Sequence, residues 1–427
     1  MGTEKYSSYD VLNALFDEGS FSETDAYLKS AGGEAEAVTG FGTVDGVPVF
    51  AFAQNVDVCG GAMSKAQAKK ITKLYQAALK TGAPVVGFYH SIGGRLEQKY
   101  EMLSAYGDIL RKSTKLSGVV PQISVVLGNC LGTSALIAAA ADYVIMEKEA
   151  KLSVDTTGEK ACCQCNLRSG MASFVCEGYL SCVDQAKKLL GYFPANNLEP
   201  APAFETVPSY AAPDKLPKYF ADDNSLLCVG GGYGEPVCTA FGRVNGSPVG
   251  IVVTKGGTIS SDGAKKIMKH VRFCDAFSIP VITIADAEAF DSLSDASKLV
   301  SVYAEATSPK IALISGTAVG AVYIALAGSA SGADLVYALP DAVVSPVAPK
   351  AAAFILDDSI ANAPVAEQEA LAAAFVKANL SAVKAAEDGY VDDIVEAEGL
   401  REKMIAALDM LSSKRVTTLP KKHTTKI

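Results

Sequence analysis

The chain has 427 residues, 49% hydrophobic and 20% charged, which is ample apolar material for more than one core. A net charge of −9 excludes the long basic surface that a nucleic-acid binder needs. At roughly 150 residues per domain, the length allows two or three domains.

Met1-Gly2-Thr3-Glu4-Lys5 runs into polar sequence, so no secretory apolar core is expected. The two longest apolar stretches, 119–146 and 309–330, are broken by Gly, Ser, Thr and Asn. Buried strand–helix units explain them better than membrane spans. The ten cysteines are not needed as staples in a chain of this size, so reduced thiols and a cytoplasmic location are expected.

Residues Tyr9 to Phe16 read as helical, and Ser22 before Glu23-Thr24-Asp25 reads as a second helix N-cap. Phe41 to Phe50 reads as a hairpin turning at Asp45-Gly46. From Lys65 to Thr81, Ala68, Ile71, Leu74, Tyr75 and Ala78 fall on one helical face with lysines opposite. Pro84 to Tyr89 is a buried strand; His90-Ser91-Ile92-Gly93-Gly94-Arg95 follows, and a helix is predicted over Leu96 to Thr114.

The next stretch, Pro121 to Met146, is a crossover unit. Ile123 to Leu127 is a β-branched apolar run, Gly128 to Thr133 is turn-prone, Ser134 to Ala141 is an Ala-rich short helix, and Tyr143 to Met146 is a second strand. Such a turn sets backbone N–H groups at a helix N-terminus, where they can hold negative charge. Residues 150–182 carry no clear pattern. Lys188 to Tyr192 ends a helix, and a Pro-rich linker reaches to about position 217.

The second half restarts the first. Phe241-Gly242-Arg243-Val244-Asn245-Gly246 repeats Phe41-Gly42-Thr43-Val44-Asp45-Gly46, 200 positions on. Ile279-Pro280-Val281 repeats Ala83-Pro84-Val85, and Gly257 stands before a helix as Gly61 does. Pro309, Gly316 and Gly320 stand 188 positions after Pro121, Gly128 and Gly132. A period this long means two copies of one βα-rich domain, not a solenoid. The Ala-rich tail, 361–412, reads as helical.

No catalytic triad can be built from His90, His270 and His423. His423 lies in a polar tail and His270 in a helix. His90, ending a strand beside Gly93, is read first as packing and second as a site residue. Cys162-Cys163-Gln164-Cys165, Cys176 and Cys182 lack the doubled CxxC spacing of a zinc site, so free thiols and no metal are expected. No GxxxxGK[ST] loop occurs, and Gly230 to Gly234 is read as a plain loop. There remain the glycine turns at strand ends. Amides from two adjacent turns can form an oxyanion hole without a charged side chain, or the glycines can simply serve tight βα turns. Spacing alone leaves both open.

Several stretches, in order, carry a resemblance. They are Asp17 to Glu23, Phe41 to Gly46, Gly60-Gly61-Ala62, Ser91 to Glu97, Ser117 to Ser124, Phe193 to Asn197, Phe273 to Pro280, Ala304 to Lys310, Gly389 to Val395 and Pro420 to His423. The sequence resembles the carboxyltransferase subunits of biotin-dependent acyl-CoA carboxylases and decarboxylases. The resemblance implies an α/β fold of two tandem crotonase-like (ClpP/crotonase) ββα-superhelix domains, related by internal duplication. Residues 1–200 would form the acyl-CoA side and 201–427 the biotin side. It implies carboxyl transfer between biotin on a carrier protein and a short acyl-CoA, through an enolate held by backbone oxyanion holes. The acyl-CoA hole would use Gly93, Gly94, Leu131, Gly132 and Thr133, and the biotin side Phe290, Val319, Gly320 and Ala321. Implied partners are a biotin carboxyl carrier protein, a biotin carboxylase or membrane decarboxylase subunit, and further copies of the chain in a dimer or dimer-based hexamer. In the family the site lies between the first domain of one protomer and the second of its partner.

Three departures stand out. Leu131-Gly132-Thr133 keeps one glycine where the family has two, and Thr133 resists a positive φ, so this turn is expected to be remodelled. Ala289 replaces a glycine before Phe290, and a loop after it is missing. Ala161 to Asn166 replaces a Gly-containing stretch. These keep open a catalytically lapsed scaffold subunit as the alternative. A hydratase or thioesterase would want paired glutamates, and Glu97 is the only near candidate.

Overall fold

In the computed structural model, residues 6–30, 33–155 and 157–416 are described. His423 and the rest of the Pro420 to His423 stretch lie outside them. The chain divides into two units, one up to Pro202 with Gly230–Tyr233, the other Ala203–Val229 with everything from Gly234 on.

The first unit begins with α1 (Ser8–Leu15), capped by Ser7 and Asp10 in a capping box. β1 (Ser22–Thr24), β2 (Ala37–Val44) and β3 (Val47–Gln54) form antiparallel ladders. The β2–β3 turn holds Asp45 and Gly46 at φ 48° and 78°, the paired positive values that a two-residue hairpin demands. α2 (Lys65–Thr81) is capped by Ser64 and stopped by Gly82 at φ 67°. Then come β4 (Val85–Ser91), α3 (Glu101–Leu116), β5 (Gln122–Leu131), α4 (Thr133–Ala139), β6 (Tyr143–Glu147), β7 (Lys151–Ser153), α5 (Cys163–Arg168), β8 (Phe174–Cys176) and α6 (Tyr179–Leu190). The sheet runs β1-β2-β3-β4-β5-β6-β8, with β7 also on β5. From β3 to β8 it is parallel, and helices cover its apolar strands; Phe52, Ile71, Val85, Ile109 and Val126 share one buried core.

The second unit repeats the plan with β9 (Leu227–Val229), β10 (Cys238–Val244), β11 (Ser247–Val253), β12 (Thr258–Ile259), α7 (Ser261–Ala276), β13 (Val281–Ala287), β14 (Ala289–Phe290), α8 (Leu293–Glu305) and β15 (Lys310–Val319). A short π-type turn at Tyr323–Ala327 stands where the first unit has α4. It continues through β16 (Leu335–Ala338), β17 (Val343–Ser345), α9 (Pro349–Leu356), α10 (Asp358–Ala361), α11 (Val365–Asn379), α12 (Ala382–Glu387), β18 (Asp393–Ile394) and α13 (Leu400–Leu411). Its sheet runs β18-β16-β15-β13-β11-β10-β9.

The duplication extends to individual hydrogen bonds. Asp17 accepts the Asp45 and Gly46 amides at 3.0 and 2.9 Å, and Asp222 accepts those of Asn245 and Gly246 at 3.2 and 2.7 Å. Buried Lys70 donates to Ala37 O at 2.9 Å, and buried Lys266 to Val237 O at 2.9 Å. Each ammonium finds a carbonyl, as burial requires. Among the described residues no helix is long and apolar enough to cross a membrane.

Several expectations need correction. Ser22 starts a strand, not a helix: Ser22–Thr24 pairs with Phe41–Thr39 of β2, and tertiary pairing overrides the capping signal. The predicted helix over Leu96–Thr114 is broken. A 3₁₀ turn at Leu96–Gln98 ends at Lys99 with φ 45°, and α3 starts at Glu101. Gly128 is not a turn residue, because β5 runs on to Leu131. The tail is not one helix: α11, α12 and α13 are separated by turns at 380–381 and 388–399, and β18 within the second gap pairs with β16.

Candidate functional site

The parallel pair β4–β5 carries two turns at its C-terminal edge. Ser91 pairs with Cys130 after a register shift, so the turns leave neighbouring strand ends. After β4, Gly93 has φ 126° and donates its N–H to Ser91 Oγ at 3.2 Å. Its carbonyl accepts Met63 N at 2.7 Å, and Arg95 N returns to Met63 O at 2.9 Å. Arg95 forms an ion pair with buried Glu36 at 3.1 Å. This leaves the Gly94 amide without a partner among the described residues.

After β5, Gly132 takes φ 66° and ψ −140° and caps α4. Its amide donates to Ser153 O of β7 at 2.9 Å, and Leu131 lies in the ladder opposite Ser153. Thr133 is the first helical residue, so its N–H is one that α4 cannot satisfy. The left-handed conformation falls on Gly132 alone and Thr133 has no positive φ, so the Thr133 Cβ does not remodel the turn.

Tyr106 of α3 ties the two turns together. Its hydroxyl is 3.1 Å from Ser134 Oγ, and a Cβ on Gly94 would lie 3.2 Å from that same hydroxyl. Both Tyr106 and Ser134 are buried. Of the five residues expected on this side, Gly94 and Thr133 have amides that no described residue takes, while the Gly93 and Gly132 amides are taken and Leu131 lies in the ladder. Tyr106 had no sequence signal beyond one aromatic on a helical face.

His90 and Gly128 form a second feature of these strand ends. A Cβ on Gly128 would come within 2.5 Å of His90 Cδ2 and Cε1. The glycine is there to let an imidazole lie against the strand. His90 Nδ1 is 3.0 Å from Tyr6 Oη, and burial lowers its pKa. Both residues line a cavity of about 500 Å³ with Asp57, Asn129, Glu147 and Tyr179. Gly94, Leu131, Gly132 and Thr133 are not in its walls, so the amide pair and this cavity are separate features. His270 is a core residue, packed 4.8 Å from the Phe241 ring.

The second unit repeats this geometry with substitutions. Asp286 replaces His90 and lies over Gly316, where a Cβ would come within 2.5 Å of its Cγ; its carboxylate accepts Thr317 N at 2.9 Å. Gly320 (φ 44°) donates to Ser345 O at 2.8 Å, as Gly132 does to Ser153. Val319 ends β15 and is buried, while Ala321 is exposed. The first helical acceptor, Gly320 O, is taken by Ile324 N, so the Ala321 amide precedes the helical bonds. Phe290 pairs with Ile259 as Gly94 pairs with Met63, so a phenylalanine stands in the register of the glycine. Ala289 needs no positive φ, and only Asp291 and Ser292 separate β14 from α8. Tyr303, in the last turn of α8, has its hydroxyl 2.9 Å from Thr283 Oγ1.

Comparison with known proteins places this geometry in a family. The family model "Carboxyl transferase domain" matches residues 5–426. The chain is 33% identical to the methylmalonyl-CoA decarboxylase subunit alpha of Veillonella parvula, over 98% of this chain and 92% of that one. It is 32% identical to the methylmalonyl-CoA carboxyltransferase 12S subunit of Propionibacterium freudenreichii subsp. shermanii, over 98% and 91%. A crystal structure of a transcarboxylase 12S hexamer with methylmalonyl-coenzyme A bound superposes with a TM-score of 0.91 at 31% identity, covering 99% of this chain and 92% of that one. The crotonase-like architecture expected from the resemblance is therefore the fold of this chain. The chain belongs to the carboxyl transferase family.

Proposed function

We propose that this chain is the carboxyltransferase subunit that moves a carboxyl group between a carrier-borne biotin and a short acyl-CoA of the methylmalonyl or propionyl type. The observation that carries the proposal is the pair of amides, Gly94 and Thr133, that have no partner among the described residues, on adjacent turns joined through Tyr106. The chain's similarity to methylmalonyl-CoA enzymes along nearly its whole length supports it.

The first unit takes the acyl-CoA. Gly94 and Thr133 N–H groups meet the thioester oxygen, where negative charge grows as the α-carbon becomes an enolate. Gly93, Leu131 and Gly132 fix those amides beforehand, so no reorganisation is needed as charge develops. The second unit takes biotin. A urea-type oxygen needs an N–H donor, and the exposed Ala321 amide supplies one; Val319, Gly320 and Phe290 would hold that end. Bound carboxybiotin supplies the carboxyl group and a ring nitrogen that exchanges the α-proton. The proposal extends to a biotin carboxyl carrier protein, to a biotin carboxylase or membrane decarboxylase subunit, to a homo-oligomer and to a cytoplasmic setting.

The scaffold alternative rests on Ala289 and on the short connection after it, where only Asp291 and Ser292 separate β14 from α8. The test pairs the purified chain with free biotin and methylmalonyl- or malonyl-CoA as carboxyl donor, and with carboxybiotin and propionyl- or acetyl-CoA as carboxyl acceptor. Carboxyl transfer with any of them supports the enzyme. CoA-ester binding by calorimetry without turnover supports the scaffold, and neither binding nor turnover sinks both.

A further inference from the structure

Two of the cysteines are arranged for chemistry that carboxyl transfer does not use. Cys162 caps α5 and Cys165 lies in its first turn, a spacing that sets both side chains on one side of the helix. Their sulfurs are 2.7 Å apart, and Cys162 Sγ also accepts the Cys165 backbone N–H at 3.2 Å. Cys162 is exposed and Cys165 half-exposed, while Cys163 between them is buried.

The turn that carries them is braced. Cys162 bridges to Lys151, and Leu152 N donates to Ala161 O at 2.8 Å. The buried Asn166 amide donates to Leu152 O at 2.9 Å and to Ala161 O and Cys162 O at 3.0 Å each. The backbone of this turn is thus held through Leu152 N, Leu152 O, Ala161 O and Cys162 O, and β7 carries the brace on to Gly132.

Two other thiol pairs also touch, Cys176 with Cys182 and Cys228 with Cys238, and the hydrogen bond from Cys228 pushes the Cys238 thiol down to about 6, but neither pair sits on a braced turn at a spacing that a disulfide spans. Cys182 is fully buried in α6 beside Cys176. Cys228 of β9 stands opposite Ala240, so Cys238 is its diagonal neighbour. Diagonal strand neighbours sit about 7–8 Å apart, beyond the roughly 4.4–6.8 Å between Cα atoms that a disulfide spans.

We propose that Cys162 and Cys165 form a redox-active dithiol, a modification site that small-molecule disulfides of the glutathione class oxidise to an intrachain disulfide. The Cys162 thiolate attacks one sulfur of the small disulfide, forming a mixed disulfide and releasing one small thiolate. Cys165 loses its proton to solvent and attacks the Cys162 sulfur, releasing the second. Two protein thiols are oxidised and one small disulfide is reduced to two thiols. Cys162 acts first because the Cys165 thiol and amide both donate to its sulfur, which lowers its pKa below the usual thiol value while that of Cys165 rises.

The site stands independently of the proposed carboxyl transfer. The test titrates the native full-length chain with oxidised and reduced glutathione, counts thiols and maps peptides by mass spectrometry. The expected first event is the loss of two thiols, with the peptide holding Cys162 and Cys165 lighter by two hydrogens. Cys165→Ser should retain a glutathione adduct on Cys162, and Cys162→Ser should form neither the disulfide nor an early adduct on Cys165. Loss of thiols first at Cys228 and Cys238, or equal adduct formation in the two variants, overturns the proposal.

Discussion

Gly128→Ala is the most direct probe of how the strand ends position the turns. The added Cβ would lie within 2.5 Å of His90 Cδ2 and Cε1, whereas an ordinary contact begins at 3.4 Å. Ring and strand must therefore part by about 0.9 Å (3.4 − 2.5). The ring cannot swing away freely, because Nδ1 is engaged by Tyr6 Oη at 3.0 Å. Giving up that bond costs roughly 1 kcal/mol, and overpacking of this kind costs about 1–3 kcal/mol in all. If β5 moves instead, Gly132 and Thr133 move with it, and a displacement near 1 Å can lower turnover by about 100-fold. The assay is urea unfolding and carboxyl transfer for Gly128→Ala, His90→Ala and the double variant. Emptying the imidazole site should relieve the clash, giving a favourable coupling of about 1–3 kcal/mol between the two changes. Additivity within about 0.5 kcal/mol would refute the reasoning.

Other consequences follow from single sites. Gly132→Ala places a Cβ at φ 66° and ψ −140°, a region essentially closed to other residues; a strain of about 1–3 kcal/mol and a kcat lower by about 10²–10³ with a smaller change in KM are expected, and an unchanged kcat would remove Thr133 from the site. His270 is fully buried, and burial depresses its pKa from 6.5 to about 4. The folded state then binds fewer protons than the unfolded one between those values, so about 3 kcal/mol of stability present above pH 6.5 is lost as pH falls toward 4; His270→Gln should flatten this slope in urea titrations, and an unaltered slope would contradict it. Arg401 donates to Asp222 and to Phe220 O, each at 2.6 Å, with the carboxylate nearly buried. Arg401→Ala should destabilise the second unit by about 3 kcal/mol, the low end for breaking a buried pair, since the Asn245 and Gly246 amides still hold the carboxylate; a loss under about 1 kcal/mol would show that those amides suffice.

Hairpin, helix and strand periodicity were legible because each is local. Asp45-Gly46 and Asn245-Gly246 can take the paired positive φ values, and α2 matches its pattern from Lys65 to Thr81. Glycines were legible as marks but not as causes. Gly128 and Gly316 read as turn formers, yet they make room for His90 and Asp286 from the neighbouring strand. Thr133 read as an obstacle, yet only Gly132 carries the positive φ.

By itself the sequence determined that one βα plan occurs twice, since the repeated turns and apolar runs encode local conformation and burial in each copy. Only the tertiary structure decided which amides are spent and which remain. The Gly93 and Gly132 N–H groups go to Ser91 Oγ and Ser153 O, while those of Gly94 and Thr133 are taken by none of the described residues. Backbone hydrogen bonding is settled by which strand lies alongside, and neither β7 nor Tyr106 announces its neighbour in the order of residues.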